Sequence, residues 1–219
     1  MENERNKDIV VVKGKPLDGP VSRYINRRIS TRITKFIVEH KLPLTPNMVS
    51  WIAFTMALAC LPLYSLGYII VAGILAQLSS IIDGVDGELA RALGKASKKG
   101  GFLDTMLDRY ADLAILLGVT AYVLQHNSLI PWALVALLAL SGDHLVSYIH
   151  TRAPYDFKIH PAQVGPLDSL ASRDVRIFIV FLGSLVGLLE YTLVALAVLT
   201  HVYIVVKTAT ILSLKTVER

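Results

Sequence analysis

Five aspartates and one glutamate stand in the segment 81–118, IIDGVDGELARALGKASKKGGFLDTMLDRYADLAILLG, between two apolar runs. In its first half, residues at helical spacing share one face: Asp83, Asp86, Gly87, Ala90 and Arg91. Its second half places an aspartate at every fourth position: Asp104, Asp108 and Asp112. Two antiparallel helices joined through the glycine-containing segment 93–101 would therefore bring the two acidic faces together.

Carboxylates packed this closely repel one another unless a cation neutralises them. Oxygen ligands without clustered Cys or His favour Mg²⁺, Mn²⁺ or Ca²⁺ over zinc. Paired metal ions suit attack on a phosphorus centre. The small Gly87 and Ala90 leave room for a ligand, and the guanidinium of Arg91 suits a phosphate oxygen. The residues thus predict a metal-dependent phosphoryl-transfer site, with an ion-transport pathway as the alternative.

The elements that position this site are predicted to be membrane helices. The chain has 219 residues, of which 53% are hydrophobic, and a mean hydropathy of +0.54. A helix needs about 20 apolar residues to cross the bilayer. Six runs reach that length, three of them only if their polar ends are included: Met48–Gly67, Tyr68–Ile82, Leu113–Gln125, Ile130–Ile149, Ile177–Gly187 and Leu188–Leu212. We therefore predict an all-α integral membrane protein with six transmembrane helices.

Basic residues are confined to alternate connections, which orients the predicted bundle. Lys and Arg precede the first run, follow the second and fourth runs, and include Lys215 and Arg219 in the tail. The connections around Gly67, His126–Asn127 and Gly187 carry none. Positive charge marks cytoplasmic loops. We expect a multi-pass cell-membrane protein with both termini and the active site in the cytoplasm. The net charge of +5 then indicates anionic lipid or phosphate-bearing substrates rather than nucleic acid.

The sequence predicts three parts: a polar segment, an amphipathic helix and a membrane domain. Residues 1–20 form a polar N-terminal segment, and 43–219 form the six-helix membrane domain. Between them, residues 21–42 alternate isoleucines with arginines at helical spacing, which predicts an amphipathic helix in the membrane interface. Thr45 as N-cap and Pro46 in the first turn predict where the first span begins.

The run Asp83-x2-Asp86-Gly87-x2-Ala90-Arg91-x8-Gly100-x3-Asp104-x3-Asp108 resembles the signature of the CDP-alcohol phosphotransferases. Members of that family displace CMP from a CDP-linked donor with an alcohol hydroxyl and are homodimers. The resemblance implies two Mg²⁺ or Mn²⁺ ions held by the four aspartates, with Asp108 also acting as general base. It further implies a donor-binding set: Asp83, Gly87, Ala90, Arg91 and Asn47.

Arginines outside the signature point to the acceptor. In family members that use inositol phosphate, basic residues in comparable places hold the acceptor's phosphate, and Arg152, Arg173 and Arg176 are the candidates here. Each of them could instead be an ordinary cytoplasmic anchor. The segment SYIHTRA departs from the more usual sequence of the family, because His150 stands where an arginine is expected.

The sequence of the N-terminal part narrows the choice of donor. GPVSRYINRRISTRITKF followed by LTPNMVS is similar to the membrane domains that make di-myo-inositol phosphate phosphate from CDP-inositol and inositol phosphate. Because only a short polar segment precedes the interfacial helix, a separate cytidylyltransferase is expected to supply that donor. The alternative is a phosphatidyl- or archaetidylinositol phosphate synthase with a CDP-lipid donor; a transporter is more remote.

Overall fold

A computed structural model of the chain describes residues 18–127 and 129–214, and these residues form α-helices and short helical turns with no β-strand. A π-helical turn at Ser22–Asn26 leads into α1. The helices are α1 (Arg27–Glu39), α2 (Pro46–Ser65), α3 (Ile69–Ala92), α4 (Lys98–His126), α5 (Leu129–Phe157), α6 (Arg173–Val186) and α7 (Leu189–Ser213). The all-α prediction is confirmed. Most of the predicted polar segment 1–20, together with Lys215 and Arg219, lies outside the described residues.

Within residues 18–127 and 129–214, four helices are long and apolar enough to cross a membrane: α2, α3, α5 and α7. The other two predicted spans do not meet both conditions. Helix α6 has 14 residues, and at 1.5 Å per residue it is shorter than the roughly 30 Å hydrocarbon layer. Helix α4 has 29 residues, but its first part is rich in charged and polar side chains. By length and composition, four of the described helices could cross a membrane. The prediction of six transmembrane helices therefore stays a prediction.

The polar ends of the short runs belong to the helices, as predicted. Helix α3 continues past Ile82 to Ala92, and α4 begins at Lys98, so the acidic positions are helical on both sides of the turn. Ser97 accepts a hydrogen bond from the backbone N–H of Gly100 at 3.0 Å and caps α4. The predicted cap of α2 is also present, because Thr45 Oγ1 accepts from the Met48 N–H at 3.3 Å.

Small residues let the helices approach closely, as is common in membrane bundles. A methyl group added at Gly73 of α3 would overlap the side chain of Ser184 on α6. The same holds for Gly142 of α5 against Thr200 on α7. Next to the first of these contacts, the Tyr64 hydroxyl lies 2.7 Å from Ser184 Oγ. The contacts of Ser184 hold α6 against α2 and α3, and α6 begins with Arg173 and Arg176 of the candidate site.

Helix α1 packs on α3 through a polar strip instead of its isoleucines alone. Ser30 and Thr34 are buried and donate hydrogen bonds to the carboxylate of Glu88 on α3, at 2.8 and 2.7 Å. Ile29 and Phe36 remain exposed, by 41% and 54%. The helix thus has a polar strip toward the bundle and apolar residues on its outside, which is compatible with the predicted interfacial position.

Candidate active site

Three of the predicted metal ligands converge. Oxygen atoms of Asp83, in the second half of α3, and of Asp104 and Asp108, in the first half of α4, all lie within 4.8 Å of one another. The arrangement follows from the turn between α3 and α4, which returns the chain so that both acidic faces meet. Three carboxylates at this separation are a ligand set for a hard divalent cation.

The orphaned oxygen of Asp104 tests whether a cation fits here. Asp104 Oδ1 is buried and has no hydrogen-bond partner among the described residues. A buried carboxylate oxygen without a donor is costly, and a divalent cation would satisfy it. The three carboxylate ligands and the unpaired oxygen of Asp104 therefore both fit Mg²⁺ or Mn²⁺.

Asp86, the fourth predicted ligand, has a different neighbourhood. It is buried and accepts a short hydrogen bond from the Ser50 hydroxyl on α2, and it is not among the three aspartates whose oxygens converge. It borders a cavity together with Asp104. Ser50 was not singled out in the sequence, because a serine in an apolar span carries no distinguishing pattern.

A cavity of about 430 Å³ lies over Asp86 and Asp104, between α2, α3 and α4. Its walls include four of the five residues predicted to bind the donor: Asn47, Gly87, Ala90 and Arg91. Asp83, the fifth, does not border this cavity. A methyl group at Gly87 would approach only the side chain of Arg91, so the helix backbone is open to a ligand there. We call this space the nucleotide cavity.

Arg173 lies among the aspartates. One of its terminal nitrogens is 2.9 Å from Asp83 and 3.1 Å from Asp108, and its Nε donates to Asp112 at 2.7 Å. The guanidinium thus neutralises part of the cluster and stands directly beside the predicted general base. Asp112, the third aspartate of the repeat, contributes no oxygen to the converging set and serves as an arginine partner.

Arg176 lies one helical turn further along α6 and is buried. Its Nε donates to Asp143 on α5 at 2.5 Å, and a second nitrogen donates to the carbonyl of Ala171, also at 2.5 Å. Arg109, which sequence reasoning missed, hydrogen-bonds Ser147 and pairs with Asp112 at 3.3 Å. Arg109 directly follows Asp108 in the sequence, and this position could have identified it as a residue of the site.

These three arginines border a second cavity of about 450 Å³ between α4, α5 and α6. Asp108, His144 and His150 also line it. We call it the arginine cavity. Arg152, the remaining predicted acceptor ligand, does not line it: its Nε pairs with Asp156 at 2.6 Å on an exposed part of α5. The structure therefore brings two of the three predicted acceptor arginines together and leaves Arg152 apart.

Residues 43–212 match the CDP-alcohol phosphatidyltransferase family. The chain belongs to this family. The matching range contains all the helices that carry the aspartates and the arginines of the two cavities, and it confirms the resemblance seen in the signature.

Two curated relatives show the range of similarity. The chain is 41% identical to the bifunctional IPC transferase and DIPP synthase of Thermococcus kodakarensis over 189 residues, which is 84% of this chain and 42% of that protein. It is 36% identical over 162 residues to the archaetidylinositol phosphate synthase of Pyrococcus horikoshii, covering 74% of this chain and 80% of that protein. The chain thus spans less than half the length of the bifunctional relative.

Among solved structures, the phosphatidylinositol phosphate synthase of Mycobacterium tuberculosis with CDP-DAG bound superimposes with a TM-score of 0.73. The match covers 88% of this chain and 98% of that one, at 24% identity, and it establishes the fold. The same enzyme has been solved with manganese and citrate.

Proposed function

We propose that this protein transfers an inositol phosphate group from CDP-inositol to a hydroxyl of inositol phosphate, releasing CMP and forming di-myo-inositol phosphate phosphate. The observation that carries the proposal is the position of the aspartates. Asp104 borders the nucleotide cavity, Asp108 borders the arginine cavity, and their oxygens converge with that of Asp83. A donor and an anionic acceptor would meet at this cluster.

The residues around the cluster have different roles in the reaction. The acceptor hydroxyl attacks the phosphorus that bears inositol, the bond from that phosphorus to the CMP oxygen breaks, and the hydroxyl proton passes to Asp108. Arg173 and Arg176 hold the phosphate of the acceptor. Two Mg²⁺ or Mn²⁺ ions held by Asp83, Asp86, Asp104 and Asp108 would supply positive charge against the pyrophosphate.

The nucleotide cavity suits the CDP part of the donor, which CDP-inositol and a CDP-lipid share. Its walls comprise Thr45, Pro46, Asn47, Ser50, Asp86, Gly87, Ala90, Arg91, Lys95, Ala96, Ser97, Gly100, Gly101 and Asp104. None of these is a large apolar side chain, whereas Lys95 and Arg91 suit the charge of a diphosphate. Arg152 stays assigned to the acceptor only through the family resemblance.

A lipid-donor synthase is the second candidate, because the chain covers 80% of the archaetidylinositol phosphate synthase and the compared structure holds CDP-DAG. A transporter is disfavoured because Asp83 and Asp108 pair with Arg173 and the acidic cluster lies between the nucleotide cavity and the arginine cavity, an arrangement that suits a phosphate-bearing substrate.

The remaining expectations concern the whole assembly. We expect six transmembrane helices, with both termini and the aspartate cluster on the cytoplasmic side of the cell membrane. The lysines and arginines at that end of the bundle support this orientation. We also expect a homodimer, and a separate cytidylyltransferase that supplies CDP-inositol.

Donor comparison tests the proposal. Purified protein in detergent, with Mg²⁺ and inositol 1-phosphate, should release CMP from CDP-inositol and not from a CDP-linked diradylglycerol. Removal of divalent ions with a chelator should abolish that release, and added Mn²⁺ should restore it. Release from the CDP-lipid alone would make this protein a phospholipid synthase. No release and no binding of either donor would contradict the assignment altogether.

A further inference from the structure

A third cavity, of about 240 Å³, lies beneath the N-terminal helical segment and reaches the aspartate cluster from another side. Asp83 and Asp108 border it, and Arg173 separates it from the arginine cavity because that side chain lines both. The reaction assigned above leaves this space without an occupant. We call it the α1 cavity.

The lining of the α1 cavity is made of hydrogen-bonding groups. It contains serine hydroxyls, an amide, carboxylates and guanidinium groups, from Asp18, Ser22, Asn26, Arg27, Ser30, Ser80, Asp83, Asp108, Ser172, Arg173 and Asp174, with Gly19 and Gly84. None of these lining residues has an aliphatic or aromatic side chain. A wall that mixes donors and acceptors in this way matches a ligand with several hydroxyl groups, each of which both donates and accepts.

Ser172 gives independent evidence of a ligand. Its hydroxyl is buried and has no hydrogen-bond partner within the described part of the chain. It stands at the N-cap position of α6, yet its side chain makes no capping bond. A buried hydroxyl without a partner is unfavourable unless something else satisfies it. A ligand hydroxyl in the α1 cavity would do so.

The wall above the cavity is held in place on both sides. The Ser22 N–H donates to Asp174 at 2.5 Å, and a methyl group at Gly19 would overlap Ser172 and Asp174. On the other side, Arg27 donates to Glu88 on α3 at 2.7 Å. The space is therefore preformed, which reduces the entropic cost of binding a ligand in it.

We propose that the α1 cavity binds the polyhydroxylated ring attached to the phosphate that is transferred, and so selects a CDP-linked polyol over a CDP-linked lipid. This inference rests on the proposed function. The nucleotide cavity takes the CMP part of the donor and the arginine cavity takes the acceptor. The α1 cavity then receives the inositol ring that is already bonded to the reacting phosphorus of the donor. Its small volume and polar lining cannot receive two hydrocarbon chains.

Binding without turnover tests the inference. The affinities of CDP-inositol and of CDP for the full chain in detergent with Mg²⁺, without acceptor, are measured by calorimetry. Ser172→Ala should weaken CDP-inositol about five- to tenfold, the effect of one hydrogen bond, and leave CDP unchanged.

A second variant fills the cavity. A methyl group at Gly84 would lie 3.4 Å from Arg27 and 3.5 Å from Ser30, which the fold tolerates, so Gly84→Ala should also weaken CDP-inositol alone. Gly101→Ala is the matched control, because Gly101 borders the nucleotide cavity and has open space around it. It should change the affinities of both ligands by the same factor.

Equal losses of affinity for both ligands in Ser172→Ala and Gly84→Ala would overturn the inference. Turnover distinguishes this from failure of the proposed function. If CDP-inositol is turned over but the two variants bind it normally, only the α1 cavity assignment fails. If only a CDP-lipid is turned over, the proposed function itself fails.

Discussion

Helix α1 is held against α3 by hydrogen bonds from Arg27, Ser30 and Thr34 to the carboxylate of Glu88. Glu88 is buried, and its two carboxylate oxygens are satisfied differently. Oε1 accepts from Arg27 at 2.7 Å and Ser30 at 2.8 Å, with Thr31 at 3.5 Å. The hydrogen bond found for Oε2 comes from Thr34, at 2.7 Å. The same substitution at the two threonines should therefore have unequal effects.

Thr34→Val removes the donor of Oε2 and leaves a buried, charged oxygen without a partner. Hydrogen bonds to charged groups contribute about 1.5–3 kcal/mol, and we expect the free energy of unfolding to fall by that amount. Thr31→Val removes only a long contact to an oxygen that keeps two shorter bonds, so its effect should stay below about 0.5 kcal/mol. Valine and threonine have similar helix propensities, which makes the pair well matched.

The assay is equilibrium unfolding of both variants and the wild type in mixed detergent micelles, followed by circular dichroism. Ser30→Ala should fall between the two, because Oε1 retains Arg27. A Thr34→Val protein as stable as Thr31→Val would refute the reasoning, since it would mean that Oε2 is not held by α1.

Two further predictions concern packing and pH. Gly73→Ala should lower the free energy of unfolding by about 1–3 kcal/mol through overlap with Ser184, whereas Gly101→Ala, in open space, should not destabilise the protein. Equal stability of the two variants would show that α3 and α6 are not in close contact. Burial and the positive charge of Lys207 lower the pKa of His160 below its ordinary value. The unfolded chain then binds the proton more readily, so stability should decline as pH falls below about 6.5. His160→Asn should flatten this decline in unfolding titrations, and an unchanged slope would contradict it.

Sequence spacing predicted the acidic cluster because its determinants are local. Asp104 and Asp108 lie one turn apart on a helix, and a short turn brings Asp83 next to them, so periodicity and one reversal of the chain suffice. The start of α2 was predictable for the same reason, because the cap bond of Thr45 reaches only to Met48.

Contacts between distant segments could not be predicted in this way. The sequence suggested Arg173 as a ligand of the acceptor phosphate, but it did not show that this side chain also pairs with acidic residues 61 to 90 positions earlier in the chain, including Asp83 and Asp112. The polar strip of α1 was also missed. Ser30 and Thr34 are ordinary helix residues until Glu88 is placed opposite them.

The number of membrane spans shows a further limit. Hydropathy and charge predict six, but α6 is short and α4 carries polar residues over its first turns. Whether such helices lie at membrane depth depends on what packs around them, and apolar length alone does not encode that.

The most direct test of the account is CMP release by Asp108→Asn, compared with wild-type protein, using CDP-inositol, inositol 1-phosphate and Mg²⁺. Asparagine keeps the size of the side chain but cannot accept the proton of the acceptor hydroxyl. The account predicts a loss of turnover of at least about 10²-fold, with CDP-inositol binding retained in calorimetry. Wild-type rates of CMP release from Asp108→Asn would contradict it.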